Sequence, residues 1–425
     1  MKFNFIYFLL VFASCVPVQT NTTTSSSNYS NFSTLDKINN NKIKTVQLYP
    51  LGNNVEDQTR DAIIQLNNGQ LKLEFDDLTE NAEAYTVKIY NCDAFWQLSK
   101  LTSLEYLSEY NEFDVLDYQY SIDTDHPYVH YQFNVPQVKV SGNYVLKVYK
   151  NGTENNIEFV KRFIVYENKI EIIPLASINS LGNLSHKNQM TEFFIHYDNY
   201  TLQNPRESLI VQMRQNGRWD NQMLRLQPAY VREDQRELEY RFIYNSEQFL
   251  AGNEYRFFDF RSIKYPGYRI QRMKRENNEY YAEIEKDKLR SDLAYSQYVD
   301  KNGKFYIYNQ DFNNTNTASN YANVKFSLSS KKIPLDANVY LFGALTNYEL
   351  IPKNKLVYDN DSNQFELEIL LKQGHYDYQY YYQNDSITSN YIAGDYFETE
   401  NQYEILVYYR PFGTRSDLLI GYKAL

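Results

Sequence analysis

The stretch SGNYVLKVY at residues 141–149 decides the fold class of this chain. Its first three residues are a turn signal, and the six that follow form an apolar run broken only by Lys147. Aromatic and β-branched residues in such a run suit a pleated, half-buried surface. Similar runs bounded by turn residues recur at short spacing, as at 71–75, 85–90 and 209–213. The sequence therefore predicts an all-β protein built of β-sandwiches.

The predicted strands fall into three successive groups along the chain. They occupy residues 41–168, 169–308 and 321–425, and the polar segment 309–320 is interpreted as a linker. No exact repeat is visible. Three sandwiches in series, of immunoglobulin or early-set type, suit this length better than one large sheet does.

The N-terminal segment predicts export and attachment to a membrane. Residues 1–15 have a positive start and an apolar run too short to span a bilayer, and they end in Ala13-Ser14-Cys15. That ending resembles a bacterial lipobox, so Cys15 is the predicted site of lipid attachment. An ordinary secretory signal with an incidental cysteine is the alternative. Residues 16–40 are mainly Asn, Ser and Thr, which predicts a disordered tether.

Charge argues against a nucleic-acid partner, because the net charge is −10 and the isoelectric point is about 5.2. Basic residues are nevertheless concentrated between Arg256 and Arg275, where seven Lys and Arg accompany one acid, Asp259. This segment would suit anionic lipid headgroups or an acidic protein surface. The favoured interpretation is a solvated strand face whose cations pair with acids elsewhere.

The sequence offers no constellation for catalysis. Its five histidines do not cluster, and it has no glycine-rich phosphate loop, no G-x-S-x-G elbow and no H-E-x-x-H motif. We therefore expect a protein that is not an enzyme and that binds neither a metal nor a cofactor.

A tyrosine ladder in the third unit suggests an alternative function. Tyr376, Tyr378, Tyr380 and Tyr382 alternate, so they share one face of a strand, which is either a core face or a platform for sugar rings. The core interpretation is favoured. The segment VYLFGALTNY at 339–348 resembles early-set sandwiches that bind glycogen, although a Trp usually stands where Tyr348 does here. The alternative is thus a carbohydrate-binding lipoprotein whose candidate residues for stacking on sugars are Tyr348, Tyr376, Tyr378 and Tyr380.

Phrases along nearly the whole chain beyond the tether resemble one family, the plug proteins of the type IX secretion system. These phrases are YNCDAFW at 90–96, SGNYVLKVY at 141–149, KRFIV at 161–165, NGRWDN at 216–221, GNEYRFFDFRS at 252–262, NGKFY at 302–306, ETEN at 398–401 and VYYRP at 407–411. The resemblance implies a non-enzymatic periplasmic protein. Such a protein binds the giant outer-membrane β-barrel translocon of the system and seals it when no cargo is passing.

The resemblance also implies where the protein acts and what it binds. Its partners would be the translocon and, through an acyl anchor at Cys15, the outer membrane, with the folded part facing the periplasm. The family supplies no contact residues. Our candidates are Arg218 and Trp219, because a Trp beside an Arg is typical of interface anchors, and Arg256, Arg261 and Arg269 from the basic stretch. The alternatives are a buried turn residue for Trp219 and, as the favoured interpretation, intramolecular ion pairs for Arg256 and Arg261.

Overall fold

A computed structural model describes residues 33–152, 156–178, 187–241, 248–383 and 388–425. Strands dominate these residues and the helices are short turns, so the predicted all-β fold is confirmed. Residues Thr34–Leu425 form one compact unit. Cys15, the predicted signal segment and residues 16–32 of the predicted tether lie outside the described residues. Residues 37 and 38, also predicted as tether, form a strand, which corrects the end of that segment.

The first ten strands build one sandwich. They are β1 Lys37–Ile38, β2 Ile43–Pro50, β3 Ile63–Gln65, β4 Leu71–Asp77, β5 Tyr85–Cys92, β6 Phe113–Asp114, β7 Asp117–Tyr120, β8 Val129–Asn134, β9 Gly142–Lys150 and β10 Ile157–Tyr166. One sheet has the order β1-β10-β9-β5-β6, with β3 parallel to β10, and the other has the order β2-β4-β8-β7. A 3-10 helix at Val55–Thr59 and helix α1 at Ser103–Tyr106 lie in the connections. The two sheets share one apolar core, the first core.

Strand β9, which carries the SGNYVLKVY stretch, is buried on both faces. Leu146 and Val148 pack into the first core, whereas Val145 points to a second apolar cluster that contains Leu406. Burial lowers the pKa of Lys147, on the same face as Val145, to about 8. The alternation suggested a half-buried strand. The outer face is covered because the C-terminal strands pack on it.

Eight strands follow up to residue 250. They are β11 Glu171–Ile178, β12 Asn188–Gln189, β13 Thr191–His196, β14 Leu209–Gln215, β15 Gln222–Leu226, β16 Tyr230–Arg232, β17 Glu237–Tyr240 and β18 Phe249–Leu250. Helix α2 at Pro205–Ser208 and a 3-10 helix at Glu233–Gln235 lie between them.

Twelve strands complete the chain. They are β19 Arg256–Asp259, β20 Ile270–Glu276, β21 Glu279–Ile284, β22 Phe305–Ile307, β23 Tyr321–Ser329, β24 Asn338–Phe342, β25 Val357–Asp359, β26 Gln364–Lys372, β27 Gly374–Gln383, β28 Thr388–Ser389, β29 Tyr403–Tyr409 and β30 Leu418–Ala424. Helix α3 at Thr315–Ala318 and 3-10 helices at Ala344–Thr346 and Pro352–Asn354 lie in the loops.

The middle sandwich combines strands from two distant parts of the chain. Its sheets have the orders β11-β13-β17-β16 and β15-β14-β29-β30, and β12 pairs with β18 beside them. In the shared sheet, Val211 of β14 is the register partner of Val407 of β29. Phe193 and Ile195 of β13 meet Val211 and Val407 in one core, so the two sheets face each other.

The third sandwich is inserted into the middle one. One of its sheets has the order β19-β27-β22, with β24 and β28 also paired to β27, and the other has the order β20-β21-β23-β26-β25. Phe258 of β19 pairs with Tyr376 of β27, and Tyr280 of β21 runs parallel to Ala322 of β23. The core between these sheets includes Phe258 and Tyr376.

The structure therefore differs from the predicted boundaries of the second and third domains. Strands between residues 256 and 307, predicted in the middle domain, pair with strands of the third. Strands β29 and β30, predicted in the third domain, complete the middle sandwich. Segment 309–320, predicted as a linker, joins β22 to β23 within the third sandwich. The physical reason is that residue alternation identifies a strand but carries no information about its hydrogen-bonding partner.

Candidate functional site

The Arg218-Trp219 loop lines a cavity of about 530 Å³ to which all three sandwiches contribute. The loop follows β14 through Asn216 and Gly217, which both have positive φ. The Arg218 amide donates to the Gln215 carbonyl, so residues 215–218 form a type I′ turn. A side chain at Gly217 would meet the carboxylate of Asp61 at 2.2 Å. The turn is therefore seated directly against the first sandwich.

Trp219 is an internal contact between the first and middle sandwiches. Its ring meets Trp96 edge to face, with the ring centroids 4.6 Å apart. The guanidinium groups of Arg214 and Arg162 lie 4.0 Å and 4.7 Å from the centroid of Trp219. Arg214 is itself buried and paired with Glu404. The ring is thus held by cation–π contacts within the chain, and a role of Trp219 as an anchor for a partner stays a prediction.

Arg218 joins the middle sandwich to the third. Its Nη2 lies 2.5 Å from Oδ2 of Asp220, and its guanidinium lies 4.7 Å from the ring centroid of Phe342 and 5.7 Å from that of Tyr348. The Tyr348 hydroxyl donates to the Gly303 carbonyl at 3.2 Å. Both predicted site residues are therefore engaged in internal contacts, Arg218 with the third sandwich and Tyr348 with Arg218.

Three tyrosines of the ladder are core, and Tyr382 is partly buried beside them. Tyr376, Tyr378 and Tyr380 are 2%, 0% and 1% exposed. Tyr378 and Tyr380 donate to Oδ2 of Asp287 at 2.8 and 2.9 Å, and Tyr376 donates to the carbonyl of Lys372. None of the three presents a ring face to solvent. The favoured core interpretation agrees with this burial, and these three residues offer no platform for sugar rings.

The predicted basic contact residues all make ion pairs inside the chain. Arg256 Nε and Arg269 Nη2 share Oδ1 of Asp287, at 2.9 and 2.8 Å. Arg261 Nε donates to Oδ1 of Asp259 at 2.8 Å. Arg256 is 3% exposed. A protein partner would have to break these pairs to use the same cations, so the intramolecular interpretation agrees with the geometry.

A buried charge cluster, which sequence reasoning missed, joins the first sandwich to the third. Asp76 Oδ1 lies 2.7 Å from Nδ1 of His130, and Asp76 Oδ2 lies 2.7 Å from Nζ of Lys372. The Tyr321 hydroxyl donates to the same Oδ2 at 2.6 Å. Asp76 and Lys372 are 296 residues apart in sequence, so no local pattern could have revealed the pair.

Burial and pairing oppose each other within this cluster. Burial lowers the pKa of Lys372, although Asp76 counteracts it. For His130 burial also favours the neutral ring, but its hydrogen bonds with Asp76 and Glu74 prevail, and the pKa is raised above 6.5. The cluster therefore depends on charge compensation across the sandwich boundary.

Strand β7 is an open edge of the first sandwich. All four of its residues are exposed, and the rings of Tyr118 and Tyr120 lie 6.0 Å apart. The Ser121 amide donates to the Tyr128 carbonyl, so by the antiparallel alternation the amides and carbonyls of Tyr118 and Tyr120 face away from β8. Ile122, the next such position, donates outward to Thr317. Residues 116–120 thus offer unpaired backbone groups at the surface.

The surroundings of β7 are strongly acidic. Residues 101–138 contain seven Asp and Glu and no Lys or Arg. Within the described part of the chain, Asp117 and Asp123 have no ion-pair partner. The open edge is therefore flanked by uncompensated negative charge.

The described residues contain neither a metal-binding cluster nor a helix that could span a membrane. None of their His, Cys, Asp and Glu side chains form a group of three or more that would hold a metal ion. No helix in the same residues has the length and hydropathy required to cross a bilayer.

Comparison with known proteins identifies the family. Residues 43–167, which span most of the first sandwich, match the model of the type 9 secretion system plug protein 1st domain. The crystal structure of a hypothetical protein from Parabacteroides merdae ATCC 43184 is similar, with a TM-score of 0.86 and 32% sequence identity, over 93% of this chain and 99% of that chain. No curated protein matches the sequence. The chain belongs to the family of type IX secretion system plug proteins.

Proposed function

We propose that this protein is a periplasmic plug that binds the giant outer-membrane β-barrel translocon of the type IX secretion system and seals it while no cargo is passing. The observation that carries the proposal is the match of residues 43–167 to the first domain of plug proteins. Membership of this family associates the chain with type IX secretion, and hence with the cell envelope and with a partner in the secretion machinery. The sealing role is the step that we add.

The way the sandwiches are joined supports a sealing role. A seal must hold one shape, because movement between its domains would open gaps. Separate domains usually move relative to each other unless their interface is extensive. Here the buried pair of Asp76 and Lys372 ties the first sandwich to the third, and Trp219 is fixed between Trp96 and Arg214. Residues 34–425 accordingly form one compact unit.

We further propose that Cys15 carries the acyl anchor and that the residues between it and the compact unit act as a tether. A tether confines the plug near the membrane that holds the barrel and raises its effective concentration at the mouth. Modest intrinsic affinity then suffices for closure and still permits release when cargo arrives. The protein would thus be anchored in the outer membrane and face the periplasm.

The contact surface that we propose is the open edge at residues 116–120. An edge strand with unpaired amides and carbonyls can accept an extended segment of a partner as an additional strand. The uncompensated carboxylates of Asp117 and Asp123 favour a segment that carries Lys or Arg. The occupant would be a basic, extended periplasmic segment of the barrel.

The test is affinity purification of the tagged full-length protein from detergent-solubilised outer membranes, followed by mass spectrometry. The expected result is recovery of a very large β-barrel in near-equal amount. Recovery of the bait without such a barrel would overturn the proposed function.

A charge-reversal variant tests the surface separately. Asp117→Lys with Asp123→Lys should abolish recovery of the barrel, because like charges would then meet across the contact. Asp361→Lys, at an exposed acid in the third sandwich, is the matched control and should retain the barrel. Equal recovery with all three proteins would refute the assignment to β7 while leaving the plug function supported.

A further inference from the structure

A second cavity, of about 280 Å³, lies on the third sandwich and is predominantly basic. Five cationic residues and one acid line it, together with three aromatic residues. The basic residues are Arg256, Arg269, Lys286, Lys288 and Arg290, the acid is Asp287, and the aromatic residues are Phe257, Tyr268 and Tyr298. Such an excess of cations within a protein of net charge −10 is a local feature that requires its own explanation.

Two guanidinium nitrogens at this cavity lack acceptors. Nη1 of Arg256 and Nε of Arg290 are buried and have no hydrogen-bond partner among the described residues. The other donors of Arg290 go to the hydroxyl of Tyr298 and the backbone carbonyl of Glu254. Buried donors without acceptors are rare in folded proteins and costly. An acceptor supplied from outside the chain would remove that cost.

The charges of the cavity are also unbalanced. The carboxylate of Asp287 is shared by Arg256 and Arg269, and Arg269 also pairs with Glu285 at 3.5 Å. Across the described ranges, Lys286, Lys288 and Arg290 form no ion pair with a carboxylate. Burial and the neighbouring Arg256 lower the pKa of Arg290, as expected where cations are crowded together.

We propose that this cavity binds a phosphate group. Several guanidinium and ammonium groups around one cavity match the charge and the multiple acceptors of phosphate, and arginine suits it through paired N–H donors. The volume of the cavity exceeds that of a single phosphate group. The phosphate can therefore be a free ion or part of a larger molecule, namely a phospholipid headgroup. Tyr268 on its wall is 58% exposed, and Val299, next to Tyr298, is 81% exposed. The site is independent of the translocon contact at β7.

Titration of the full-length protein with inorganic phosphate, followed by calorimetry at constant ionic strength, tests the site. The variant Lys286→Gln with Lys288→Gln should weaken binding at least tenfold, and both side chains are exposed, so the fold should be retained. Arg290→Gln should have a similar effect. Lys423→Gln removes an exposed charge from β30 of the middle sandwich and should bind as the wild type does.

Sedimentation with vesicles distinguishes the source of the phosphate. Phosphatidylglycerol vesicles and phosphatidylcholine vesicles are compared, because an N-terminal anchor would insert into both. Preference for phosphatidylglycerol that the Lys286→Gln, Lys288→Gln variant loses identifies a lipid headgroup. Binding of inorganic phosphate without that preference identifies a free phosphate. The proposal is overturned if the wild type shows neither phosphate binding nor a preference for phosphatidylglycerol. It is also overturned if the variant binds as tightly as the wild type.

Discussion

Replacing Lys372 with methionine would leave Asp76 as a buried carboxylate with one fewer compensating charge. Asp76 is 0% exposed and Lys372 is 1% exposed, so water cannot replace the lost ammonium group. Removing one partner of a buried ion pair costs about 3–5 kcal/mol. Because His130 and Tyr321 still hydrogen-bond to Asp76, we expect a loss near the lower end, about 3 kcal/mol.

The assay is equilibrium unfolding in urea, followed by tryptophan fluorescence. The two tryptophans of the chain, Trp96 and Trp219, are in contact at the junction of the first and middle sandwiches, so the signal reports on that junction. The double variant Asp76→Asn with Lys372→Met removes both charges. It should recover roughly 1–2 kcal/mol relative to Lys372→Met, because no unpaired carboxylate remains. Lys332→Met, which breaks the exposed pair with Asp292, should leave the urea midpoint unchanged.

Two results would refute this reasoning. If Lys372→Met unfolded at the same urea concentration as Lys332→Met, the buried pair would contribute no more than an exposed one. If the double variant were less stable than Lys372→Met, the cost would arise from lost contacts and not from an uncompensated charge.

Three further predictions concern the same unit. The pKa of His130 is raised above 6.5 in the folded protein, so its stabilising contribution is complete below pH 6.5 and is lost as the pH rises through the folded-state pKa. His130→Gln should flatten this part of the profile of urea midpoint against pH. Gly217→Ala should lower the stability in urea more than Gly152→Ala does. Both glycines have positive φ, but only a methyl group at residue 217 would meet Asp61. Equal losses of stability would contradict the close contact between this turn and the first sandwich. Tyr378→Phe should cost about 2 kcal/mol in thermal or urea unfolding, since it removes a hydrogen bond to the Asp287 carboxylate and the acceptor for Nη1 of Arg269; an unchanged midpoint would contradict it.

The fold class was accessible from sequence because it depends on local patterns. Alternating aromatic and β-branched residues between turn signals mark strands wherever they occur. The pairing of strands is not local. Val211 and Val407 lie in adjacent strands of one sheet, yet each run has the same composition as others that pair elsewhere. Consecutive strands were therefore assigned to one domain, and the insertion of the third sandwich was missed.

The candidate site shows a similar limit. The alternation of Tyr376, Tyr378 and Tyr380 correctly placed them on one face, but alternation does not distinguish a face that contacts core from one that contacts solvent. Asp287, the acid that pairs with Arg256, is 31 residues away in sequence, and many other acids of the chain were equally possible ion-pair partners. The open edge at β7 carried a usable signal, because residues 101–138 contain no Lys or Arg.

The insertion of one sandwich into another sets the order in which the chain can acquire its final structure. Glu404, the partner of buried Arg214, follows it by 190 residues, so β14 remains without its neighbour β29 until almost the whole polypeptide is available for folding. Closing so long a loop carries a large entropic cost, which a prior collapse of the inserted sandwich would reduce by bringing the loop ends together. A chain truncated before residue 403 would lack the strands that cover one face of β9. Premature termination late in the gene should therefore damage the start of the protein as well as its end.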